Sequence, residues 1–327
     1  MIRIKNGIQV RIVKPNDPPF FYRRETIREM REMAPSYTQC FFAFHTKFQI
    51  IKSTKKPKKH WIFFSHGIGG NADTYSHLAY SLASMGYTVC MVEHEDGTAC
   101  YAEENETKHP NNPDKTIKCI LKTGITEHGL RMIVEKEIHQ RVEELKNVID
   151  TLCPTGSNYS LLGHSFGAST VFCVSSILKK KPKHMILYDL WIEPMLYFYY
   201  PKYNPKYRHD DNWYYPFSTF SDGHNQTMPD YDLIFSNSKY GKPKLDFPIQ
   251  SFYSQTFSSY EETKIRALFV YLEKKVKHES AYGLTHTSFG DFIYLASQML
   301  CYVMRYGNRE MYQHVVDESC LFLDDID

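Results

Sequence analysis

Apolar residues fall into short runs separated by stretches in which they recur every three or four positions. Trp61-Ile62-Phe63-Phe64 is the first clear run. A glycine-rich turn follows, then helical spacing over 74–85 that stops at Gly86. Residues 87–92 form the next run, and Ile133, Ile138, Val142, Leu145, Val148 and Ile149 carry helical spacing through 130–152. Runs at 159–162, 184–188 and 247–253 predict three more strands, with helices over 166–178, near 260–275 and from 289 onward. Residues 1–15 predict a strand pair about Asn6-Gly7, a hairpin-favouring dipeptide, and 41–51 is strand-like. Strands alternating with helices predict a mostly parallel central sheet with helices on both faces.

One segment breaks this rhythm. Residues 197–220 hold 11 aromatics in 24 positions, with Pro201, Pro205 and Pro216 among them. No helical or strand period survives there, so a long structured loop is expected, of the kind that forms lids or binding loops. The whole chain is then read as one domain over 1–327. Its parts are a catalytic core over about 41–305, an N-terminal extension over 1–40 and an aromatic-rich insert over about 197–246.

Composition narrows the class. With 327 residues, 42% apolar, the chain is long enough for a large core without staples. Thirty-nine basic against 37 acidic residues exclude an overall nucleic-acid footprint. Lys55-Lys56-Pro57-Lys58-Lys59 is read as a solvated turn. The eight cysteines include no Cys-x-x-Cys pair, so zinc-ribbon and thioredoxin-like chemistry have no support. Neither a signal peptide nor a membrane-spanning run is evident, and a cytoplasmic protein with reduced thiols is expected. The sequon at Asn158 opens an apolar strand and reads as accidental. Aromatics are in excess at 15%.

The strongest chemical signal is Gly163-His164-Ser165-Phe166-Gly167, a G-x-S-x-G pentapeptide between an apolar strand and a helix of small and apolar residues. That context defines a nucleophile elbow, which raises the Ser165 hydroxyl at a strand's carboxyl end beside helix N-terminal N–H groups. Ser65-His66-Gly67-Ile68-Gly69-Gly70 is a second strand–turn, in which the Ile68 N–H can share an acyl oxygen with the Phe166 N–H. It lacks the spacing and lysine of a P-loop. In α/β-hydrolases the order is Ser, Asp or Glu, His. Asp189 ends the strand after the elbow, with Glu261 and Glu262 as rivals one strand later. His286 opens a late loop and best fits the last place. Glu93-His94-Glu95-Asp96 invites a metal reading, but no further ligand stands at helical spacing.

Together these pieces resemble the platelet-activating factor acetylhydrolase family, the serine-dependent group VII phospholipases A2. The matching text is Phe64-Ser65-His66-Gly67-Ile68-Gly69, Val92-Glu93-His94 with Asp96-Gly97, and Gly163-His164-Ser165-Phe166-Gly167-Ala168. It continues in Asp189-x-Trp191-x-x-Pro194 and His286-x-x-Phe289-x-Asp291-Phe292. The resemblance implies an α/β-hydrolase fold with Ser165, Asp189 and His286 as triad, favouring Asp189 over the two glutamates. It maps the oxyanion donors onto the N–H groups of Ile68 and Phe166. Candidate pocket residues are His66, Gly67, His164, Trp191 and Phe289. Two departures stand out: Glu193 replaces an apolar residue, and the insert separates Asp189 from the next strand.

The expected activity is a calcium-independent serine esterase that removes a short or oxidised sn-2 acyl group from phospholipids. No cofactor, metal or nucleic acid is expected, and a lipid substrate leaves room for peripheral membrane contact. The alternatives are a serine esterase for other esters, and an inactive hydrolase fold used as a binding module. The insert is expected to form a lid or lipid-contact surface over the pocket.

Overall fold

The computed structural model describes residues 1–325 except 5–6, 19–22, 34–54, 104–115, 118, 120–126, 201–227, 258 and 292–307. Its centre is an eight-stranded sheet. The strands are β1 (Ile2–Arg3), β2 (Gln9–Val13), β3 (His60–Ser65), β4 (Thr88–Glu93), β7 (Asn158–His164), β8 (Met185–Tyr188), β9 (Ile249–Ser254) and β10 (Lys277–Ala281). Their order is β1-β2-β4-β3-β7-β8-β9-β10. The pairings from β4 across to β10 are parallel, while β1 and β2 add antiparallel at one edge. A separate pair, β5 (Ala102–Glu103) and β6 (Thr116–Ile117), is antiparallel.

Helices cover both faces, which is why the central strands read as nearly unbroken apolar runs. Alternate residues of each strand serve opposite cores. Phe63, Cys90, Val92, Leu161, Met185 and Leu187 face one, and Ile62, Phe64, Val89, Met91, Leu162, Ile186 and Tyr188 face the other. The first core is closed by α3 (Glu127–Leu152), α4 (Phe166–Ile177), α5 (Ile192–Tyr199), α6 (Tyr231–Ser236) and α7 (Ser259–Tyr271). The second is closed by α2 (Ser76–Ser84) and α8 (Arg309–Asp324). Helix α1 (Arg24–Met33) is tied on through the residue before it and one within it: Arg23 reaches Asp73 and Glu93, and Thr26 donates to Asp73 at 2.7 Å. Elements on both sides of 41–305 thus join the same sheet and cores. No helix among the described residues is long and apolar enough to cross a membrane.

The structure departs from the sequence reading in several places. Tyr197, Phe198 and Tyr199 are not in a loop but close α5, and all three are buried. A helix buried all round has no amphipathic period to read. Helix α5 starts beside the elbow, where the Trp191 N–H meets the Ser165 carbonyl at 3.4 Å. By Tyr199 it has reached Ser176 near the end of α4, so it runs away from Ser165. Past the undescribed 201–227, the chain returns to the same helical layer: Phe198 stacks on Tyr240 at 4.5 Å, and Tyr231 donates to the Lys264 carbonyl at 2.7 Å. The described flanks of the insert are core, and the part expected as a lid falls outside the described residues. So do the predicted strand at 41–51 and most of the helix expected from 289, where His286–Phe289 forms one 3₁₀ turn. Strand β10, helix α1 and the β5–β6 pair were unforeseen. In β10, Lys-His-Glu-Ser-Ala carries almost no apolar signal.

Candidate active site

Strand β7 ends at His164, and α4 begins at Phe166, which leaves a single residue to reverse the chain. That residue, Ser165, has φ 55° and ψ −119°, the strained conformation of a non-glycine residue in a sharp turn. The flanking glycines are demanded by packing. A Cβ on Gly163 would collide with the Gly167 carbonyl, and one on Gly167 with the carbonyls of Ser65 and His66. The helix thus starts directly against β3 and β7. The Ser165 N–H is anchored on the Tyr188 carbonyl at 2.9 Å.

Asp189 follows β8, again at positive φ (45°), with its N–H on the Phe252 carbonyl at 2.9 Å. Its side chain is fully buried. One carboxylate oxygen accepts the Ser254 N–H at 2.7 Å; the other accepts the Ser254 hydroxyl at 2.6 Å and lies 2.9 Å from His286 Nδ1. A carboxylate only accepts, so Nδ1 carries the imidazole proton and Nε2 keeps its lone pair. The His286 ring lies 4.5 Å from that of His164, the neighbour of Ser165, and stacks on Phe257 at 6.3 Å. Glu261 and Glu262 instead pair with Lys264 at 2.6 Å and Arg266 at 2.7 Å on α7.

Ligand atoms of His164, Asp189 and His286 lie within 4.8 Å of one another, a spacing that could hold a cation. Some of these atoms already have protein partners. His164 Nδ1 takes the Tyr75 hydroxyl at 2.8 Å, and both Asp189 oxygens have donors. The acidic run at 93–96 disperses likewise. Glu93 pairs with Arg23, Glu95 with Arg3 and Asp96 with Arg141, while His94 bridges Ser65 and Glu144.

The 66–70 turn lies against the elbow, with the Gly67 Cα side facing Ser165 Cβ and the His164 ring. Within it the Gly67 N–H goes to Tyr75 Oη at 3.2 Å, Gly69 to Thr98 O at 2.8 Å and Gly70 to Gly67 O at 3.2 Å. Among the described residues the N–H groups of Ile68 and Phe166 have no acceptor. Two unengaged donors beside a serine are what an oxyanion requires.

Buried charge supports this corner. Arg141, fully buried on α3, donates to Asp96 at 2.6 Å, to the His66 carbonyl at 2.7 Å and to Thr98 Oγ1, and lies 4.3 Å from the Phe166 ring centroid. Burial alone would raise the Asp96 pKa, but Arg141 holds it well below the usual carboxylate range. Burial, then the His286 charge, pushes the His164 imidazole well down and keeps it neutral. Of the candidate pocket residues, Trp191 packs edge-on to Phe166 at 6.1 Å and Phe289 lies 5.6 Å from His164. His66 is fully buried and bonded to main chain at both ring nitrogens, so it presents nothing to a substrate. Sequence reasoning missed Tyr75 at the N-cap of α2, Arg141 within α3 and Ser254 at the end of β9, none of which carries a motif signal.

The sheet order and the elbow turn are those of the α/β-hydrolase fold. A ferulic acid esterase from Streptomyces cinnamoneus superposes with a TM-score of 0.53 at 16% identity, over 84% of this chain and 68% of the esterase. The family profile described as platelet-activating factor acetylhydrolase, isoform II, matches residues 36–156. Platelet-activating factor acetylhydrolases of Bos taurus and Canis lupus familiaris are 28% and 27% identical over 166 and 161 residues, or 41% of this chain. The match spans 35% of the length of each. The profile match takes in two of the five motifs read from the sequence, those at 64–69 and 92–97, and the chain is similar to this family.

Proposed function

We propose that this chain is a serine-dependent, calcium-independent lipid ester hydrolase with Ser165, Asp189 and His286 as its triad. The observation that carries the reading is the buried Asp189–His286 pair beside an elbow serine, with two nearby N–H groups that have no acceptor among the described residues. His286 Nε2 takes the proton of Ser165 Oγ as that oxygen attacks the ester carbonyl, and the Ile68 and Phe166 N–H groups hold the resulting oxyanion. Asp189 holds the imidazole in the required tautomer and stabilises its positive charge. Collapse of the adduct expels the alcohol, which takes its proton from His286. Water, activated by the same imidazole, then frees the acid from the acyl-enzyme. The family resemblance points to phospholipids with a short or oxidised sn-2 acyl chain as substrates.

A fluorophosphonate probe is expected to label the wild-type chain and to leave Ser165→Ala untouched. Acetate release from 1-alkyl-2-acetyl-glycerophosphocholine, unchanged by a calcium chelator, tests the substrate. Turnover of p-nitrophenyl acetate without it would restrict the activity to other esters. Persistent labelling of Ser165→Ala would end the triad assignment.

A further inference from the structure

The turn that carries the Ile68 N–H is held at several of its other peptide groups. Its first peptide, His66–Gly67, has its carbonyl on Arg141 Nη1 at 2.7 Å and its N–H on Tyr75 Oη at 3.2 Å. The next peptide, Gly67–Ile68, has its carbonyl on His66 Nδ1 at 2.8 Å, with the Gly70 N–H a longer second donor at 3.2 Å. The N–H at the other side of that same peptide is the Ile68 donor.

The tautomer of His66 is set by its second contact. Nε2 lies 3.2 Å from the His94 main-chain N–H, which can only donate, so Nε2 holds the lone pair and Nδ1 the proton. Nδ1–H therefore donates to the Gly67 carbonyl. Burial, followed by Arg141 and His94, pushes the imidazole pKa well down, so the ring stays neutral with a single N–H to give.

We propose that His66 is a positioning residue for the oxyanion hole, its Nδ1–H gripping the carbonyl of the peptide whose N–H, on Ile68, meets the developing oxyanion. The role rests on the esterase function proposed for Ser165. A trans peptide is planar, with its C=O and N–H opposed, so a bond that fixes the carbonyl also aims the N–H. Hydrogen bonding at the carbonyl also polarises the unit and strengthens its N–H as a donor. His66 thus acts on the reaction without touching substrate, in place of the pocket-lining role expected from the sequence.

Two substitutions separate this role from simple anchoring of the end of β4. The amide nitrogen of His66→Asn falls near the position of Nδ1 and can still donate to the Gly67 carbonyl. The amide of His66→Gln falls near Nε2 and preserves only the acceptor for the His94 N–H. With p-nitrophenyl acetate, His66→Asn is expected to keep kcat within about 3-fold, and His66→Gln to lose about 10- to 100-fold in kcat with KM little changed. A trifluoromethyl ketone that forms a tetrahedral adduct on Ser165 should bind His66→Gln more weakly by the same factor. Should both variants fail to fold, the wild-type protein still decides: adduct formation should shift the Ile68 amide and the His66 Nδ1 proton together in NMR spectra. A better His66→Gln than His66→Asn, or a His66 proton that stays still while the Ile68 amide moves, overturns the role and leaves the triad standing. Absence of fluorophosphonate labelling in the wild type overturns both.

Discussion

Replacing Asp189 by Asn changes one atom in the buried pair with His286, and the surrounding donors decide the consequence. The Ser254 N–H, 2.7 Å from one carboxylate oxygen, is fixed main chain and must keep an acceptor. The Asn carbonyl oxygen is therefore held there, which turns the amide NH2 toward the site now shared by the Ser254 hydroxyl and His286 Nδ1. The hydroxyl can rotate and accept; the imidazole can accept only by moving its proton to Nε2. His286 then faces Ser165 as a donor and can no longer take its proton. The opposite amide orientation would set two N–H donors 2.7 Å apart in a fully buried site. The expected loss is about 10⁴-fold in kcat, or about 5 kcal/mol of transition-state stabilisation. KM changes little, because neither rotamer alters the acyl site. Single-turnover acylation by p-nitrophenyl acetate is the assay. Glu261→Gln and Glu262→Gln serve as controls and should stay within about 2-fold of wild type in acylation rate, since both carboxylates pair along α7 and not with His286. Retention of more than about a tenth of the wild-type rate in Asp189→Asn, or a comparable loss in either control, would refute the reasoning.

Other substitutions test the frame around the site. Asp96→Asn leaves the Arg141 guanidinium buried without its carboxylate and should lower unfolding free energy at pH 7 by about 3–5 kcal/mol; a loss below about 1 kcal/mol in urea titrations would contradict the pairing. Since Arg141 depresses the folded-state pKa of Asp96, this contribution is complete above the ordinary carboxylate pKa of about 4 and is lost as pH falls below it. The gap between wild type and Asp96→Asn should narrow on acidification. Gly167→Ala drives a Cβ into the Ser65 carbonyl, which is main chain and cannot swing away, so a loss of about 3 kcal/mol or more is expected from thermal melting. Phe198→Ala opens the aromatic cluster against Tyr240 and should destabilise by about 3–5 kcal/mol while the folded fraction keeps its kcat/KM. An altered KM at full stability would instead place Phe198 at the substrate.

Much of this arrangement is legible in the residues alone. Two-faced burial makes central strands apolar throughout, and β3, β4, β7, β8 and β9 are readable as runs for that reason. The elbow is readable because its glycines answer steric demands that no other residue meets at Gly163 and Gly167. Helix α5 is not, because a buried helix loses its polar face and its period with it. Strand β10 escapes notice for the opposite reason. Among the described strands it lies at the sheet edge, paired with β9, and it keeps polar side chains.

The sequence by itself determined the chemistry on offer: a serine in a turn only glycines permit, a glycine turn able to present main-chain N–H groups, and an aspartate and a histidine later in the chain. Those signals are local, carried by residues within a few positions of one another. Which carboxylate meets His286, which N–H groups stay unengaged, and that His66 holds a peptide rather than a substrate depend on contacts across long separations. Asp189 and His286 lie 97 residues apart, Arg141 and His66 75. Tertiary packing decides such pairings because only the folded sheet brings these side chains together and removes the water that would otherwise satisfy them.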